Sequence, residues 1–282
     1  MAAATDMRVV GILHHPKIPA SRPLAGEICD WLEDQGVEAW AGSTWDEESV
    51  AAQMARLSLL VVLGGDGSLL RVARLSASAT IPIFGVNMGK VGFLSEAQPD
   101  EWQEKLARVL LGDYWLEQRL MLHAALLRDG RVLGTFVALN DVVVGRGQQA
   151  RVVHFQLCVD GDLVATYTAD ALIVATPTGS TAYAMAAGGP ILPPELQNFV
   201  IVPVAPHLSL DRALVLHEEA EISIQVSMDH EVYITPDGQD SISVESGDKV
   251  VVKKHQHLCP FVRLGDSGYF YRRLMERLGY RL

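Results

Sequence analysis

The first third of the chain alternates between two hydrophobic patterns. Continuous apolar runs of strand length are typical of strands buried on both faces, as in a parallel sheet covered by helices. These runs are residues 9–13, 59–63 and 81–87, with a shorter strand candidate at 37–40. Between them, apolar residues recur at helical spacing in stretches 24–32, 48–57, 68–76 and 99–113. We therefore predict an α/β, Rossmann-like domain over residues 1–113.

From about Tyr114 the pattern changes to short strands that follow one another closely. Asp-Gly pairs favour tight hairpin turns between such strands. They occur at residues 129–130, 160–161 and 237–238. We predict a β-rich antiparallel sandwich over residues 114–265. The tail regains helical spacing at Phe270, Leu274 and Leu278, and we expect this helix to pack back on another element.

The composition narrows the possible partners and location. The 282 residues carry a formal net charge of −11, and no dense run of lysine and arginine offers a surface for nucleic acid. No stretch approaches the roughly 18 apolar residues that cross a membrane, and the N-terminus lacks the pattern of a secretory signal. The 3 widely spaced cysteines predict reduced thiols rather than disulfides. We expect a cytoplasmic protein without nucleic-acid or membrane partners.

A glycine-rich turn lies between an apolar run and a predicted helix. Its glycines are Gly64, Gly65 and Gly67, and Asp66 lies among them. Backbone N–H groups and the helix dipole at such a turn favour phosphate. A carboxylate repels phosphates unless it binds Mg²⁺ or accepts a proton, so Asp66 is a candidate for chemistry. The alternative is a tight turn in which Asp66 accepts backbone N–H bonds and Ser68 caps the helix.

Two further polar stretches interrupt apolar runs. Residues 176–181 crowd hydroxyls and amides into one turn that suits ribose and phosphate oxygens, although a helix capped by Ser180 or Thr181 explains part of the pattern. Asn140 and Asp141 interrupt a run suited to a buried strand, where they need hydrogen-bond partners or a ligand. A β-bulge in which both side chains bond nearby backbone is the alternative for that pair.

Together, successive motifs resemble those of NAD kinases. They are GGDGSLL, GVNMGKVGFLSE, LNDVVVGRG, YTADALIVATPTGSTAYAMAAGGPI, DGQ and FYRRLMERLG. The resemblance covers nearly the whole chain and implies phosphoryl transfer from ATP, or in some members inorganic polyphosphate, to the adenosine-ribose 2′-hydroxyl of NAD, giving NADP. It also implies Mg²⁺ or another divalent cation, a homodimer or homotetramer, and a last helix, within residues 266–282, that returns to the N-terminal domain.

The resemblance assigns roles to individual residues. Asp66 matches the catalytic aspartate, which is expected to help deprotonate the 2′-hydroxyl and is the candidate to hold Mg²⁺. The positions that match nucleotide- and phosphate-binding residues are Gly64, Gly65, Gly67, Ser68, Arg74 and Asn87. The positions that match NAD-binding residues are Asn140, Asp141, Asp170, Thr178, Ser180, Thr181, Ala182 and Tyr183.

Three positions depart from the family pattern. Asp141 stands where the family carries glutamate, which retracts the carboxylate by one methylene, or about 1.5 Å, and predicts an altered ligand geometry. Ser68 replaces the commoner threonine and keeps its hydroxyl. Ala171 stands where many members carry glycine, which raises the question of the backbone angle at that position.

Other functions compete with this interpretation. A kinase acting on a lipid or sugar hydroxyl shares the GGDG-type turn but lacks the turn at residues 176–183 in this form. A non-catalytic dinucleotide-binding sensor has no need of Asp66. His255, His257 and Cys259 alternate along a predicted strand and imitate a zinc site, but they lack an evident fourth ligand. We favour a solvated edge strand for these three residues.

Overall fold

The structure is a computed structural model that describes residues 9–89, 92–148, 151–207, 210–228, 230–266 and 268–278. Residues 90 and 91 of the GVNMGKVGFLSE motif, and the tail from residue 279, lie outside this part of the chain. None of the helices in the described ranges has the length and apolar character needed to cross a bilayer.

The described residues form six α-helices, numbered here in chain order. They are α1 (Ser21–Asp34), α2 (Glu47–Gln53), α3 (Asp66–Ser76), α4 (Trp102–Leu110), α5 (Tyr183–Ala186) and α6 (Tyr269–Arg277). The strands are β1 (Val9–His14), β2 (Glu38–Ser43), β3 (Leu59–Gly64), β4 (Ile83–Asn87), β5 (Trp115–Arg119), β6 (Leu122–Arg128), β7 (Arg131–Ala138), β8 (Asp141–Arg146), β9 (Val153–Val159), β10 (Asp162–Ala169), β11 (Ala171–Ala175), β12 (Asn198–Val204), β13 (Leu214–His217), β14 (Ile222–Ser227), β15 (Val232–Pro236), β16 (Ile242–Val244), β17 (Lys249–Lys254) and β18 (Cys259–Arg263).

The chain divides into two compact units, the first formed by Met1–Gln118 with Cys259–Leu282 and the second by Arg119–Leu258. The first unit therefore includes β18, because Phe261 pairs in parallel with Ile83 of β4. It also includes nearly all of β5, which lies next to β18 in the sheet. The predicted limits at residues 113 and 265 group both strands with the second domain instead.

The first unit contains one six-stranded sheet in the order β2-β1-β3-β4-β18-β5. Strands β1, β2, β3 and β4 pair in parallel, as the continuous apolar runs predict. Every residue of β3 and β4 is buried, whereas β2 is partly exposed because it lies at the sheet edge. The core packs one face of α1 against this sheet through Leu24, Ile28 and Leu32. The expected α/β, Rossmann-like domain is confirmed.

Helix boundaries in the first unit differ from the predictions by a few residues. Helix α2 ends at Gln53 and continues as one 3₁₀ turn over Met54–Arg56, which is tighter than the predicted helix to residue 57. Helix α4 begins at Trp102, so Pro99 precedes it rather than lying in its first turn. The tail helix packs on the first unit through a buried cluster of Phe93, Tyr269, Phe270 and Leu274. Leu278, predicted on the same stripe, is 46% exposed just beyond the helix end.

The second unit is a sandwich of two six-stranded sheets. Their strand orders are β10-β9-β14-β17-β6-β7 and β13-β12-β11-β8-β15-β16. Neighbouring strands pair in antiparallel fashion, for example β8 with β11 and β15. Inward-facing residues of both sheets, including Leu126, Val144, Phe155 and Leu172, form one continuous buried cluster. This arrangement confirms the predicted antiparallel sandwich.

The three Asp-Gly pairs share one backbone conformation at the ends of strands β6, β9 and β15. Both residues of each pair have positive φ, at 48° and 76° for Asp129 and Gly130, as type I′ turns require. Asp129-Gly130 and Asp160-Gly161 form the whole connection from β6 to β7 and from β9 to β10, whereas Asp237-Gly238 begins a longer connection over residues 237–241 from β15 to β16. In the two short hairpins the local sequence favours the observed register, because a type I′ turn matches the twist of the strands that it joins.

Candidate functional site

The glycine-rich turn lies at the carboxyl end of the buried strand β3 and opens helix α3. Gly65 is the helix N-cap and Asp66 is the first helical residue, so the helix begins earlier than the predicted residue 68. Ser68 lies inside the first turn and does not cap the helix. In a parallel sheet, this edge and the free N–H groups of the first helical turn form the usual anion site.

Asp66 is half-buried, and backbone donors hold its carboxylate. Oδ2 accepts the N–H of Phe93 at 3.1 Å, and Oδ1 accepts the N–H of Leu94 at 3.2 Å. Gly92 makes this position possible, since a Cβ atom at residue 92 would lie 2.0 Å from Oδ1 of Asp66. The carboxylate therefore has a defined orientation set by a segment 27 residues away in the chain.

Two further oxygen atoms lie beside this turn. Asn87 ends β4, where it pairs with Gly64 of β3, and its side chain is 1% exposed. The Asn87 amide donates to the carbonyl of Gly89 at 2.8 Å. Oδ1 of Asn87 and Oγ of Ser68 are buried and have no hydrogen-bond partner within the described part of the chain. These polar atoms remain for a ligand of the turn.

Arg74 lies farther from this group. It occupies the last turn of α3, eight residues after Asp66, which corresponds to about 12 Å of helical rise. The structure thus brings Gly64, Ser68 and Asn87 together with Asp66 and leaves the Arg74 backbone two turns away.

The two polar stretches of the second unit meet where β8 and β11 pair. Asp141 lies opposite Ala175, and the N–H of Thr176 donates to the carbonyl of Asn140 at 2.9 Å. Thr176 Oγ1 donates to the carbonyl of Leu139 at 2.6 Å. Gly179 packs closely against the backbone of Asn140, since a Cβ atom at residue 179 would lie 2.0 Å from the Asn140 carbonyl oxygen. Backbone contacts therefore join the motifs LND and TPTG into one site.

The motif DGQ joins the same site through Asp237. The Asp237 carboxylate accepts the backbone N–H groups of Leu139, Asn140 and Asp141, at 3.0, 2.7 and 3.2 Å. Asp141 itself is 4% exposed. Burial, together with the neighbouring negative charge of Asp237, raises the pKa of Asp141 to about 7. At this site two buried carboxyl groups therefore lie side by side, and Asp237 is the one that accepts the three backbone N–H groups.

The turn after β11 is built around its own hydroxyls. Ser180 is fully buried, and its Oγ donates to the carbonyl of Pro177 at 2.7 Å and accepts the N–H of Leu192 at 2.9 Å. Thr181 donates to the carbonyl of Thr178 at 3.2 Å. Thr178 Oγ1 accepts a hydrogen bond at 3.0 Å from Arg119, which is 2% exposed. These hydroxyls fix the turn, so a ligand would meet its backbone more than its side chains.

A cavity of about 520 Å³ opens beside this turn within the second unit. Asp170 and Arg146 line it and form an ion pair at 3.1 Å. The aromatic rings of Tyr183 and Tyr233 also line it. Ala171 lies in the strand β11, and its φ is not among the positive values, so an alanine is accommodated there without strain. The cavity combines aromatic faces with one carboxylate and one guanidinium, as small-molecule sites do.

The histidines of the 255–259 stretch bond to nearby backbone in the described part of the chain. His255 is buried, and its Nδ1 lies 3.1 Å from the carbonyl oxygen and 3.2 Å from the backbone nitrogen of His257. Among the described residues, no three His, Cys, Asp or Glu side chains converge to hold a metal ion. The prediction of a solvated edge strand is wrong, because residues 255–258 lie outside any strand and Cys259 is buried at the start of β18, which lies between β4 and β5 in its sheet.

Comparisons with known proteins match both halves of the chain. The ATP-NAD kinase N-terminal domain matches residues 10–114, and the ATP-NAD kinase C-terminal domain matches residues 139–264. The NAD kinase of Chloroflexus aurantiacus is 39% identical over 269 residues, covering 95% of this chain and 98% of the relative. The chain belongs to the NAD kinase family. It is an enzyme of that class, which phosphorylates NAD with ATP.

Further NAD kinases and related structures agree. The NAD kinase of Heliobacterium modesticaldum is 39% identical over 280 residues, covering 96% of this chain and 99% of that protein. A crystal structure of an NAD kinase from Archaeoglobus fulgidus in complex with ATP aligns with a TM-score of 0.76 at 25% identity, covering 97% of this chain and 99% of that chain. Yeast NADH kinase complexed with NADH shares the fold, with a TM-score of 0.86 at 24% identity over 98% of this chain and 88% of that one.

Sequence reasoning did not assign functions to several residues of these sites. Gly92 and Asp237 lie within quoted motifs, yet neither was given a role. A glycine in a loop, or an aspartate in a hairpin turn, carries no sign of its distant partner. Arg146 lies within the motif LNDVVVGRG but has no predicted role, and Arg119 lies outside every quoted motif, since a single arginine in a strand pattern is usually a solvated residue.

Proposed function

We propose that Asp66 and the glycine-rich turn carry the transfer of the ATP γ-phosphoryl group to the adenosine-ribose 2′-hydroxyl of NAD. The observation that supports this proposal is the orientation of Asp66. Two backbone N–H groups hold its carboxylate at the N-terminus of α3, beside backbone that suits phosphates.

The turn would bind the phosphate chain of the donor. Gly65 and Gly67 would present backbone N–H groups to phosphate oxygens, and the α3 dipole favours negative charge at this end. Gly64 would let β3 approach the start of α3, since a Cβ atom there would lie 2.2 Å from Ser68 Oγ. The Ser68 hydroxyl, which is buried and unpaired within the described residues, could donate to a phosphate oxygen. Arg74 is proposed to act on the donor side through its charge, from two turns along the helix.

Asp66 would accept the proton of the 2′-hydroxyl. Phosphoryl transfer passes through a loose transition state, so alignment of the attacking oxygen matters most and proton removal comes late. The O–H bond breaks toward a carboxylate oxygen of Asp66 as the new P–O bond forms and the bond to ADP breaks. A positioned carboxylate in this role typically contributes about 10²- to 10⁴-fold to the rate.

The donor set at the turn suits Mg²⁺. This ion prefers oxygen ligands and is commonly held by one or two carboxylates together with substrate phosphates. Asp66 supplies a carboxylate, and Asn87 supplies a buried amide oxygen without a partner among the described residues. We propose that these two residues hold Mg²⁺ or another divalent ion. When bound, the ion would neutralise charge on the phosphates.

The NAD side would lie in the second unit. Asn140 and Asp141 are proposed to hold the nicotinamide-side ribose region, and Asp170 to reach the nicotinamide end through the cavity of about 520 Å³. The turn of Thr178, Ser180, Thr181, Ala182 and Tyr183 is proposed to line the adenosine. Ser180 would act by fixing the turn, because its hydroxyl is already bonded to the backbone of Pro177 and Leu192.

The proposal includes the nature of the ligands and the assembly. ATP is the donor, with polyphosphate as the alternative, and NAD is the acceptor. The yeast relative was crystallised with NADH and the archaeal one with ATP, which supports a dinucleotide and a nucleoside triphosphate as ligands of this chain. We also propose a cytoplasmic homodimer or homotetramer, which sedimentation equilibrium and cell fractionation would test.

The decisive experiment is an NADP-forming assay with purified Asp66→Asn. We expect a kcat lowered by about 10²- to 10⁴-fold, with an unchanged circular dichroism spectrum, because asparagine keeps the shape and loses the base. Asp100→Asn is the matched control, since Asp100 is an exposed residue of the same unit. A parental rate for Asp66→Asn would refute the role of Asp66. An inactive parent that phosphorylates a lipid or sugar instead would refute the NAD assignment.

A further inference from the structure

Residues 93–95, which hold the Asp66 carboxylate, are themselves held by two arginine side chains of the first unit. The backbone N–H groups of Phe93 and Leu94 point to Asp66. The carbonyl groups of this segment point the other way, toward two arginines. Arg263 donates to the carbonyl of Leu94 at 2.9 Å, and Arg273 donates to the carbonyls of Phe93, at 3.4 Å, and Ser95.

Arg263 is a buried cation that does not reach solvent. It lies in β18 and is 1% exposed. Its Nε donates to Glu117 at 2.9 Å, and its Nη1 lies 3.3 Å from Glu96. Because a buried charge is costly unless it is paired, this arginine is tied to the position of both carboxylates.

Helix α6 adds Tyr269, Phe270 and Arg273 to the residues that surround Arg263 and the 93–96 segment. The Tyr269 hydroxyl donates its one proton to the Glu117 carboxylate, whose two oxygens lie 2.6 and 2.8 Å from it. The Arg273 guanidinium lies 5.2 Å from the Tyr269 ring centre and 3.8 Å from the Glu96 carboxylate. The Phe270 ring packs on Phe93, with centroids 6.1 Å apart. The last helix therefore contacts the 93–96 segment through both charge and apolar packing.

The negative charge of Asp66 also acts on Arg273. Burial, followed by the neighbouring Arg263, holds the pKa of Arg273 below its ordinary value, and the carboxylates of Glu96 and Asp66 oppose that effect. Arg273 remains a cation, since a guanidinium does not lose its proton in proteins. A fixed positive charge thus lies on the far side of the segment that donates to Asp66.

We propose that Arg273 of the C-terminal helix is a positioning residue for catalysis, which orients the Asp66 carboxylate through the backbone of the 93–95 segment. Arg263, Glu117 and Tyr269 support it by fixing the same segment and the helix. The inference rests on the proposed function of Asp66. The arginine does not touch substrate in this account; it sets the direction in which the two N–H donors point.

The test compares Arg273→Met, Arg273→Lys and Arg272→Met in the full-length protein. Arg272 is the matched control, because it is the neighbouring arginine of α6, is exposed and pairs with Asp266 at 2.9 Å. For Arg273→Met we expect kcat to fall by about 10- to 100-fold with KM for NAD changed less than about twofold, since a small displacement of a catalytic group costs rate more than binding. Arg273→Lys should recover part of kcat, and Arg272→Met should match the parent.

A double-mutant cycle with Asp66→Asn separates positioning from general loss of structure. If Arg273 acts through Asp66, Arg273→Met should change the residual kcat of Asp66→Asn by less than about twofold. A loss of the same size in both backgrounds would overturn the proposal. So would a parental kcat for Arg273→Met. Tyr269→Phe, which removes one hydroxyl, carries the same cycle should Arg273→Met not fold.

Hydrogen exchange gives a readout that does not depend on activity. Amides of residues 93 and 94 should exchange at least about tenfold faster in Arg273→Met than in Arg272→Met, because their acceptor is less well held. Equal exchange in the two variants would overturn the inference and leave the role of Asp66 intact. If Asp66→Asn were instead fully active, the proposed function would fail whatever the exchange rates.

Discussion

Asp66, the first residue of α3 in the first unit, and Asp141, the first residue of β8 in the second, lie in opposite surroundings. Asp66 is half-buried, and both of its oxygens accept backbone N–H groups. Asp141 is 4% exposed and lies beside Asp237, which takes three backbone N–H groups for itself. The pKa of Asp141 is consequently raised to about 7 by burial and by that neighbouring charge.

The comparison shows that backbone donors, more than the acid itself, decide what a buried aspartate can do. A carboxylate with N–H donors is fixed in direction, which suits the proposed base. A carboxyl group without them, next to a second carboxylate, holds its proton up to neutral pH and can donate a hydrogen bond. We expect Asp141 to meet NAD as such a donor below pH 7.

The largest expected effect comes from removing the space that Asp66 occupies. Gly92→Ala places a Cβ atom 2.0 Å from the present Oδ1 position, so the carboxylate must move away from the two N–H donors. We expect kcat to fall by about 10²- to 10³-fold while the protein stays folded. The measurement is NADP formation with a thermal melt as the folding check.

Gly265→Ala controls for the change of glycine to alanine in a loop of the same unit. A Cβ atom at residue 265 would meet nothing within 4 Å, so this variant should match the parent. Equal rates for Gly92→Ala and Gly265→Ala would show that the orientation of Asp66 does not matter.

The next effect is a pH-dependent gain of stability in Asp141→Asn. In the folded protein the pKa of Asp141 is raised from 3.8 to about 7, so the folded state binds the extra proton between these values. Stability of the parent therefore falls as pH rises through that window, and the cost is complete above pH 7. Asparagine does not ionise, so the Asp141→Asn substitution removes this cost. The gain measured by urea unfolding should grow by up to about 3 kcal/mol between pH 5 and pH 8.5.

Asp162→Asn is the control for that series, because Asp162 is an exposed residue of the same unit. Its stability difference from the parent should not vary with pH over this range. A stability gain in Asp141→Asn that is larger at pH 5 than at pH 8.5 would contradict a raised pKa of Asp141 in the folded protein.

The smallest effect is expected for Asp237→Asn. Asparagine tolerates the positive φ of 50° at this position, but its amide group presents donors to backbone N–H groups that need an acceptor. We expect a loss of about 1–2 kcal/mol in unfolding free energy at pH 5. The pH dependence of stability should shrink as well, because the charge that opposes ionisation of Asp141 is gone.

Asp129→Asn provides the comparison, since Asp129 has a φ of 48° at the first position of another Asp-Gly turn and is exposed. Its stability should lie within about 0.5 kcal/mol of the parent. Equal losses in the two variants would mean that the turn, and not the three N–H bonds, requires an aspartate.

The sequence by itself determined the features that depend on a few neighbouring residues. The apolar runs predicted β1, β3 and β4, because strands buried on both faces tolerate few polar side chains. The Asp-Gly pairs predicted three hairpins, because both residues of a type I′ turn need positive φ. The ordered motifs indicated the family, which the domain matches then confirmed.

Only the tertiary structure decided which groups surround the predicted site residues. Phe93 lies 27 residues from Asp66, Asp237 lies 97 from Asn140, and Arg273 lies 180 from Phe93. No local pattern encodes such partners, because a backbone N–H or carbonyl is present at almost every residue and becomes specific only when folding points it at one side chain. For the same reason, the raised pKa of Asp141 follows from burial next to Asp237 and is invisible in the letters of the motif.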